Sequence, residues 1–236
     1  MELFYAQPQN ISSDEIILDQ FEKKHLLKTL RKKRGDRIDL TDGQGNHYIA
    51  EIDTIKPELL LKIITVQTVN LKNRSITLGA GFIRQSRLEF IIEKGTELGI
   101  TEFILFKSQY CNHFSKNSGR FEKILRQAMK QSLQFYLPKI TITNSFNEFI
   151  DYTQKYKQKI AGFTEKDQSI SDYLHNCENI DDSVLFIVGP EGGFSEDEGN
   201  LLKKNNFKFV SLGKTRLRTE TAAISGTAVI QLYRNS

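Results

Sequence analysis

The chain has little with which to build redox or metal chemistry. Two cysteines, Cys111 and Cys177, stand in 236 residues with no C-x-x-C spacing and no histidine pair nearby. That argues against a structural disulfide or a zinc site and suits a reducing cytoplasm. The four histidines (His25, His47, His113, His175) show no ligand spacing, so no metal is expected. No run approaches the roughly eighteen apolar residues of a membrane span. The opening Met1-Glu2-Leu3-Phe4-Tyr5 lacks the basic and apolar regions of a signal peptide. The expectation is a cytoplasmic protein with no membrane partner. Nucleotide-binding patterns are missing too. Gly213-Lys214-Thr215 ends like a phosphate loop, but Lys208 stands where such a loop needs its first glycine, and Gly-x-Gly-x-x-Gly is absent. A net charge of +4 permits an anionic partner without demanding one, so charge has to be argued locally.

What is present divides into two textures. Residues 2–69 hold short alternating apolar runs at 3–5, 16–18, 38–40, 48–52 and 59–69, the pattern of strands, with turn chemistry at Asp42-Gly43-Gln44-Gly45-Asn46. One helical segment, residues 21–30, places Leu26, Leu27 and Leu30 on a stripe. Lys28, Arg31, Lys32, Lys33, Arg34 and Arg37 follow closely, opposed only by Asp36. Cations favour a helix C-terminus, but six of them exceed that need. A solvated face and a nucleic-acid contact both remain open. After about residue 70, strands alternate with amphipathic helices, which implies a mainly parallel sheet covered on both faces. The expected division is a small β-barrel-like domain over 1–70 and an α/β domain over 71–236.

The most organised stretch runs from Val184 to Ala223. A buried strand leads into Gly189-Pro190-Glu191-Gly192-Gly193. A capping box at Ser195 and Glu198 opens a helix. A second strand then reaches Gly213, and Lys214-Thr215-Arg216-Leu217-Arg218 precedes a last helix rich in Ala222, Ala223, Ser225, Gly226 and Ala228. Glycine loops leaving neighbouring strands let backbone approach a ligand closely; two tight turns with no ligand are the bland alternative. Arg216, Arg218 and Glu220 read equally as a salt bridge.

These residues carry a resemblance. Gly189-Pro190-Glu191-Gly192-Gly193-Phe194-Ser195, followed by Leu212-Gly213-x-x-x-Leu217-Arg218-Thr219-Glu220-Thr221-Ala222, resembles the RsmE family of ribosomal RNA methyltransferases. Leu88-Glu89-x-x-x-Glu93-Lys94-Gly95-Thr96-Glu97-Leu98-Gly99 agrees with it, as do His25-Leu26-Leu27-Lys28-Thr29-Leu30-Arg31 and Asp42-Gly43. The resemblance spans nearly the whole chain in order. It departs from the family at Ser108-Gln109-Tyr110, at Gln131-Ser132-Leu133-Gln134, at Arg84 and at Thr215.

The resemblance implies an N-terminal PUA-like β-barrel that binds RNA and a C-terminal α/β domain of the SPOUT class with a trefoil knot. It implies a homodimer that uses S-adenosylmethionine to methylate nitrogen 3 of one uridine in 16S ribosomal RNA of the small subunit. The implied cofactor residues are Thr164, Val188, Gly189, Glu191, Gly192, Gly193, Leu212, Gly213, Leu217, Arg218, Thr221 and Ala222. Arg218 is the expected stabiliser of charge on the uracil, and Glu191 the candidate proton acceptor. Lys28, Arg31, Lys33 and Arg34, with Arg84 and Arg87, are the expected RNA contacts, and Tyr110 offers a ring for a base. A methyltransferase of another RNA and a non-catalytic ribosomal-RNA binder are the competing readings. Intact cofactor loops speak against the binder, and the pairing of N- and C-terminal motifs against the other substrate.

Overall fold

The computed structural model describes residues 2–69, 75–114, 119–164, 168–177 and 183–235. Two compact units emerge, Met1–Leu71 with Arg126–Leu137, and Lys72–Leu125 with Pro138–Ser236. The first unit thus takes in a segment that the expected cut at residue 70 assigned to the second.

In the first unit, β1 (Leu3–Tyr5), β2 (Glu15–Leu18), β3 (Arg37–Thr41), β4 (Asn46–Thr54) and β5 (Leu59–Thr68) form one sheet in the order β1-β3-β4-β5-β2. Among the described residues β1 and β2 do not pair with each other, so the sheet is a curled half-barrel. Register shifts in the β4–β5 ladder at Ile49/Ala50 and Ile52/Thr54 supply the bend, since an extra residue on one strand increases local twist. Ile16, Leu18, Leu40, Ile52, Leu59 and Leu61 fill the concave face. The expected helix over 21–30 forms in two pieces. Asp19 caps α1 (Gln20–Lys24) by accepting from the Glu22 amide at 2.9 Å. The chain then widens into π-type turns over His25–Thr29, where the Leu30 amide donates to the His25 carbonyl. Leu26 is buried as the stripe requires, and the segment stops at Arg31, whose φ is 56°.

The 42–46 turn does more than join β3 to β4. The Thr41 hydroxyl and Gly45 amide donate to the Phe135 carbonyl at 3.0 and 2.8 Å, the Leu137 amide donates to Gly43, and the Phe135 ring stacks on His47 at 4.6 Å. Buried Glu22 receives Lys130 Nζ at 2.5 Å. These contacts are why residues 126–137 belong with the first unit.

The second unit has six strands, β6 (Ile76–Gly81), β7 (Ile100–Phe106), β8 (Lys139–Thr143), β9 (Gln158–Phe163), β10 (Val184–Val188) and β11 (Lys208–Ser211), all parallel in the order β11-β9-β10-β6-β7-β8. β6 and β10 are buried at every position, as central parallel strands covered on both faces must be. The helices are α2 (Gln85–Glu97), α3 (Gly119–Gln131), α4 (Phe146–Tyr152), α5 (Ile170–His175), α6 (Glu196–Lys204) and α7 (Thr219–Asn235); the part of α3 from Arg126 onward counts with the first unit. The Ser195–Glu198 capping box on α6 forms as expected. α5 was not expected: six residues behind a Ser169 cap leave too short a period to read.

Candidate active site

β11, β9 and β10 are neighbours, run parallel and end on one edge of the sheet. In open α/β sheets that carboxyl edge is where ligands bind. A cleft of about 540 Å³ lies there, within the span usual for small-molecule sites. The end of β9 contributes Gly162, Phe163 and Thr164 to its wall, and β10 contributes Val188 and the turn 189–194. Beyond β11 come Leu212, Gly213 and residues 215–218, while Thr219 and Ala222 of α7 and Arg87 of α2 close the rim.

The cleft therefore gathers eleven of the twelve residues that the resemblance marked for the cofactor. Thr221 is not among its lining: it is exposed on α7, with its carbonyl accepting from Ser225. Its neighbour Thr219 is buried instead and donates its hydroxyl to the Gly189 carbonyl at 3.0 Å. A threonine at a helix start reads as an N-cap, so nothing in the sequence separated the two roles.

The glycine turn is held by side chains from other elements. Arg87 Nη1 lies 3.1 Å from Glu191 Oε1, and Arg87 Nε lies 3.6 Å from Glu220 Oε1. Arg216 Nη2 donates to the Glu191 carbonyl at 3.3 Å. Arg87, expected on the RNA, is thus engaged in the cleft wall. Of the readings open for Arg216, Arg218 and Glu220, a salt bridge among the three does not form among the described residues; Glu220 pairs with Arg87. Glu191, the candidate proton acceptor, has its near oxygen taken by a guanidinium, which is the geometry of an anchor. Arg218 differs: it lines the cleft, is exposed, and its guanidinium has no ion pair among the described residues.

A second anchored segment follows β7. The Glu198 carboxylate, besides capping α6, accepts from the Ser108 hydroxyl at 2.9 Å and the Gln109 amide at 2.8 Å. This fixes Tyr110, which is 46% exposed and packs so close to Gly192 that a Cβ there would sit 2.7 Å from the Tyr110 Cβ. A small residue at 192 is what lets the two loops meet. Elsewhere, Lys28, Arg31, Lys33 and Arg34 are exposed on the first unit. Arg34 reaches Asp53 at 3.3 Å, and the other three have no ion pair among the described residues. Arg84 is exposed at the start of α2.

Comparison with known proteins gives this geometry a context. A family model described as RNA methyltransferase domain matches residues 70–231. The ribosomal RNA small subunit methyltransferase E of Rickettsia conorii is 32% identical over 212 residues, covering 88% of this chain and 86% of that protein. A probable rRNA-methyltransferase from Porphyromonas gingivalis is similar with a TM-score of 0.86 at 30% identity, over 100% of this chain and 99% of the other. The ribosomal RNA small subunit methyltransferase E of Neisseria gonorrhoeae, bound to S-adenosyl methionine, is similar with a TM-score of 0.85 at 27% identity, over 98% and 97%.

Proposed function

Since the chain belongs to the ribosomal RNA small subunit methyltransferase E family, we propose that it methylates small-subunit ribosomal RNA from S-adenosylmethionine, at nitrogen 3 of one uridine in 16S ribosomal RNA. It acts in this reading as a cytoplasmic homodimer. The observation that carries the reading is the cleft, whose lining joins glycine-turn main chain and the apolar Val188, Leu212 and Leu217 with Arg218, an arginine that has no ion pair among the described residues. The turns at 189–193 and 212–213 bring main chain into the cleft lining, which suits the approach of an adenine edge, and Leu212 and Leu217 suit its faces. The cofactor, when bound, supplies a methyl group activated by its sulfonium.

The chain's own residues then orient and stabilise. As nitrogen 3 loses its proton, negative charge spreads onto the two flanking uracil carbonyls. Arg218, exposed on the cleft and free of a carboxylate partner, donates to those oxygens where charge develops. Its Leu217 neighbour packs the ligand, so the cation and the apolar wall come from one short segment. Tyr110, held rigid through Ser108 and Gln109, offers a face on which a base next to the target stacks. Lys28, Arg31, Lys33, Arg34 and Arg84 supply phosphate contacts.

Mass spectrometry of 16S ribosomal RNA from cells lacking the gene tests the whole reading. Loss of one monomethyluridine, restored by the purified protein with S-adenosylmethionine, is the expected result; an unchanged methylation pattern refutes it. Arg218→Ala should lower kcat about 10²–10³-fold and leave cofactor Kd near wild type in calorimetry. Unaltered turnover would remove Arg218 from the chemistry.

A further inference from the structure

We propose that Arg87 is the positioning residue of the cleft, a guanidinium clamp that sets the separation between the glycine turn and the first turn of α7. The inference rests on the reading of this cleft as the cofactor site. Arg87 stands in the first turn of α2, an element with its own place on the sheet, yet its side chain reaches two others. One end pairs with Glu191 of the glycine turn at 3.1 Å and the other with Glu220 of α7 at 3.6 Å. Both partners sit beside residues that line the cleft: Glu191 belongs to the glycine turn, and Glu220 lies between Thr219 and Ala222 in the first turn of α7.

Among the described residues, the hydrogen bond within the glycine turn runs from the Gly193 amide to the Pro190 carbonyl. Its placement comes from outside, through Arg87 on the Glu191 carboxylate, Arg216 on the Glu191 carbonyl and Thr219 on the Gly189 carbonyl. Thr219 joins the turn to α7 through a neutral hydrogen bond, and Arg87 adds a charged link from the same turn to Glu220, the next residue of α7. Two carboxylates share one cation here, and Glu220 keeps its second oxygen buried without a partner. Removing Arg87 therefore leaves two anions without their shared cation, and the joint between the glycine turn and the first turn of α7 then rests on Thr219 and the Gly189 carbonyl. The planar fork of arginine can address two carboxylates in different directions; a lysine ammonium, a single point charge, holds one of them well. The same geometry explains why Glu191 serves as an anchor.

The test uses Arg87→Ala, Arg87→Lys and Glu220→Gln in the full chain, with two readouts. Hydrogen exchange on the ligand-free protein is independent of any cofactor. Amides at 189–193 and 219–222 should exchange faster in Arg87→Ala while the centre of the sheet is unchanged; wild-type protection at both segments overturns the proposal. Calorimetry with S-adenosylmethionine measures the consequence. Arg87→Ala should raise Kd about tenfold to a hundredfold; a Kd equal to that of the wild type overturns the proposal. Arg87→Lys should recover only part of the loss, and Glu220→Gln should shift Kd in the same direction but less. Full recovery by lysine overturns the bridging geometry. Should the alanine variant fail to fold, the lysine and glutamine variants carry both readouts. If wild type itself does not bind S-adenosylmethionine, the functional reading fails, and the exchange data still decide the clamp.

Discussion

Glu102 shows what a single side chain contributes away from the cleft. It lies near the start of β7 and is 13% exposed. Its carboxylate accepts from Tyr152 and Thr141 (2.9 Å) on one oxygen and from Lys155 (3.0 Å) and Tyr156 (2.8 Å) on the other. Burial by itself raises a carboxyl pKa, but four donors outweigh it and hold Glu102 at about 2, down from 4.5. The same burial, with the Glu102 anion beside it, pushes the Tyr156 phenol up to about 12. Because the folded pKa is the lower one, the stabilisation is present above about pH 4.5 and is lost as pH falls toward 2. Glu102→Gln should cost about 2–3 kcal/mol at neutral pH, and the gap from wild type should narrow between pH 4.5 and 2 in urea titrations. A gap that does not vary with pH would show that packing, not charge, is what the substitution disturbs. At this scale the sequence identified residue types better than partners. Arg87 and Glu220 stand 133 positions apart, and local spacing has no access to a pair of that separation.

Among the elements, α7 is the one whose composition asked for an explanation. Its small residues read as room for a ligand, for another backbone, or as weak packing. The structure divides them: Ala222 faces the cleft, whereas Gly226 lets the helix lie against β10. A Cβ on Gly226 would stand 2.3 Å from Phe186 Cζ and 2.4 Å from its Cε1, in a ring that is fully buried and has nowhere to turn. Gly226→Ala gains about 1 kcal/mol of helix propensity and loses about 1–3 kcal/mol to overpacking. A net destabilisation of up to about 2 kcal/mol is expected from denaturant titrations, and a gain in stability would contradict the close approach. The strands were legible in the sequence because their apolar runs are continuous or alternate. The π-type turns after α1 and the six-residue α5 were not, since neither spans two helical turns.

For the whole molecule, the fold is α/β, with a curled N-terminal half-barrel and an all-parallel C-terminal sheet of the SPOUT type. Among the described residues no helix is long and apolar enough to cross a membrane, and no group of three or more potential metal ligands gathers. The basic segment of the first unit is a separate functional surface in the proposed reading. Neutralising Arg31, Lys33 and Arg34 together should weaken RNA binding and reduce the slope of log affinity against log salt by about 2, with cofactor Kd unaffected. An unchanged slope would mean that these cations are a solvated face.

The features readable from the chain alone are local. Strand and helix periods, the capping box at Ser195 and Glu198, and the two glycine-bearing loops each depend on residues a few positions apart. The paired C-terminal motifs added the family. Tertiary structure alone decided which strands are neighbours, and hence that the ends of β9, β10 and β11 share an edge. It also decided that residues 126–137 return to the first unit and that Thr219 rather than Thr221 faces inward. Above all it placed Arg87 between Glu191 and Glu220. The physical reason is common to these cases: ion pairs and strand order depend on distance in space, and the loops that bring such groups together carry no period that announces where they end.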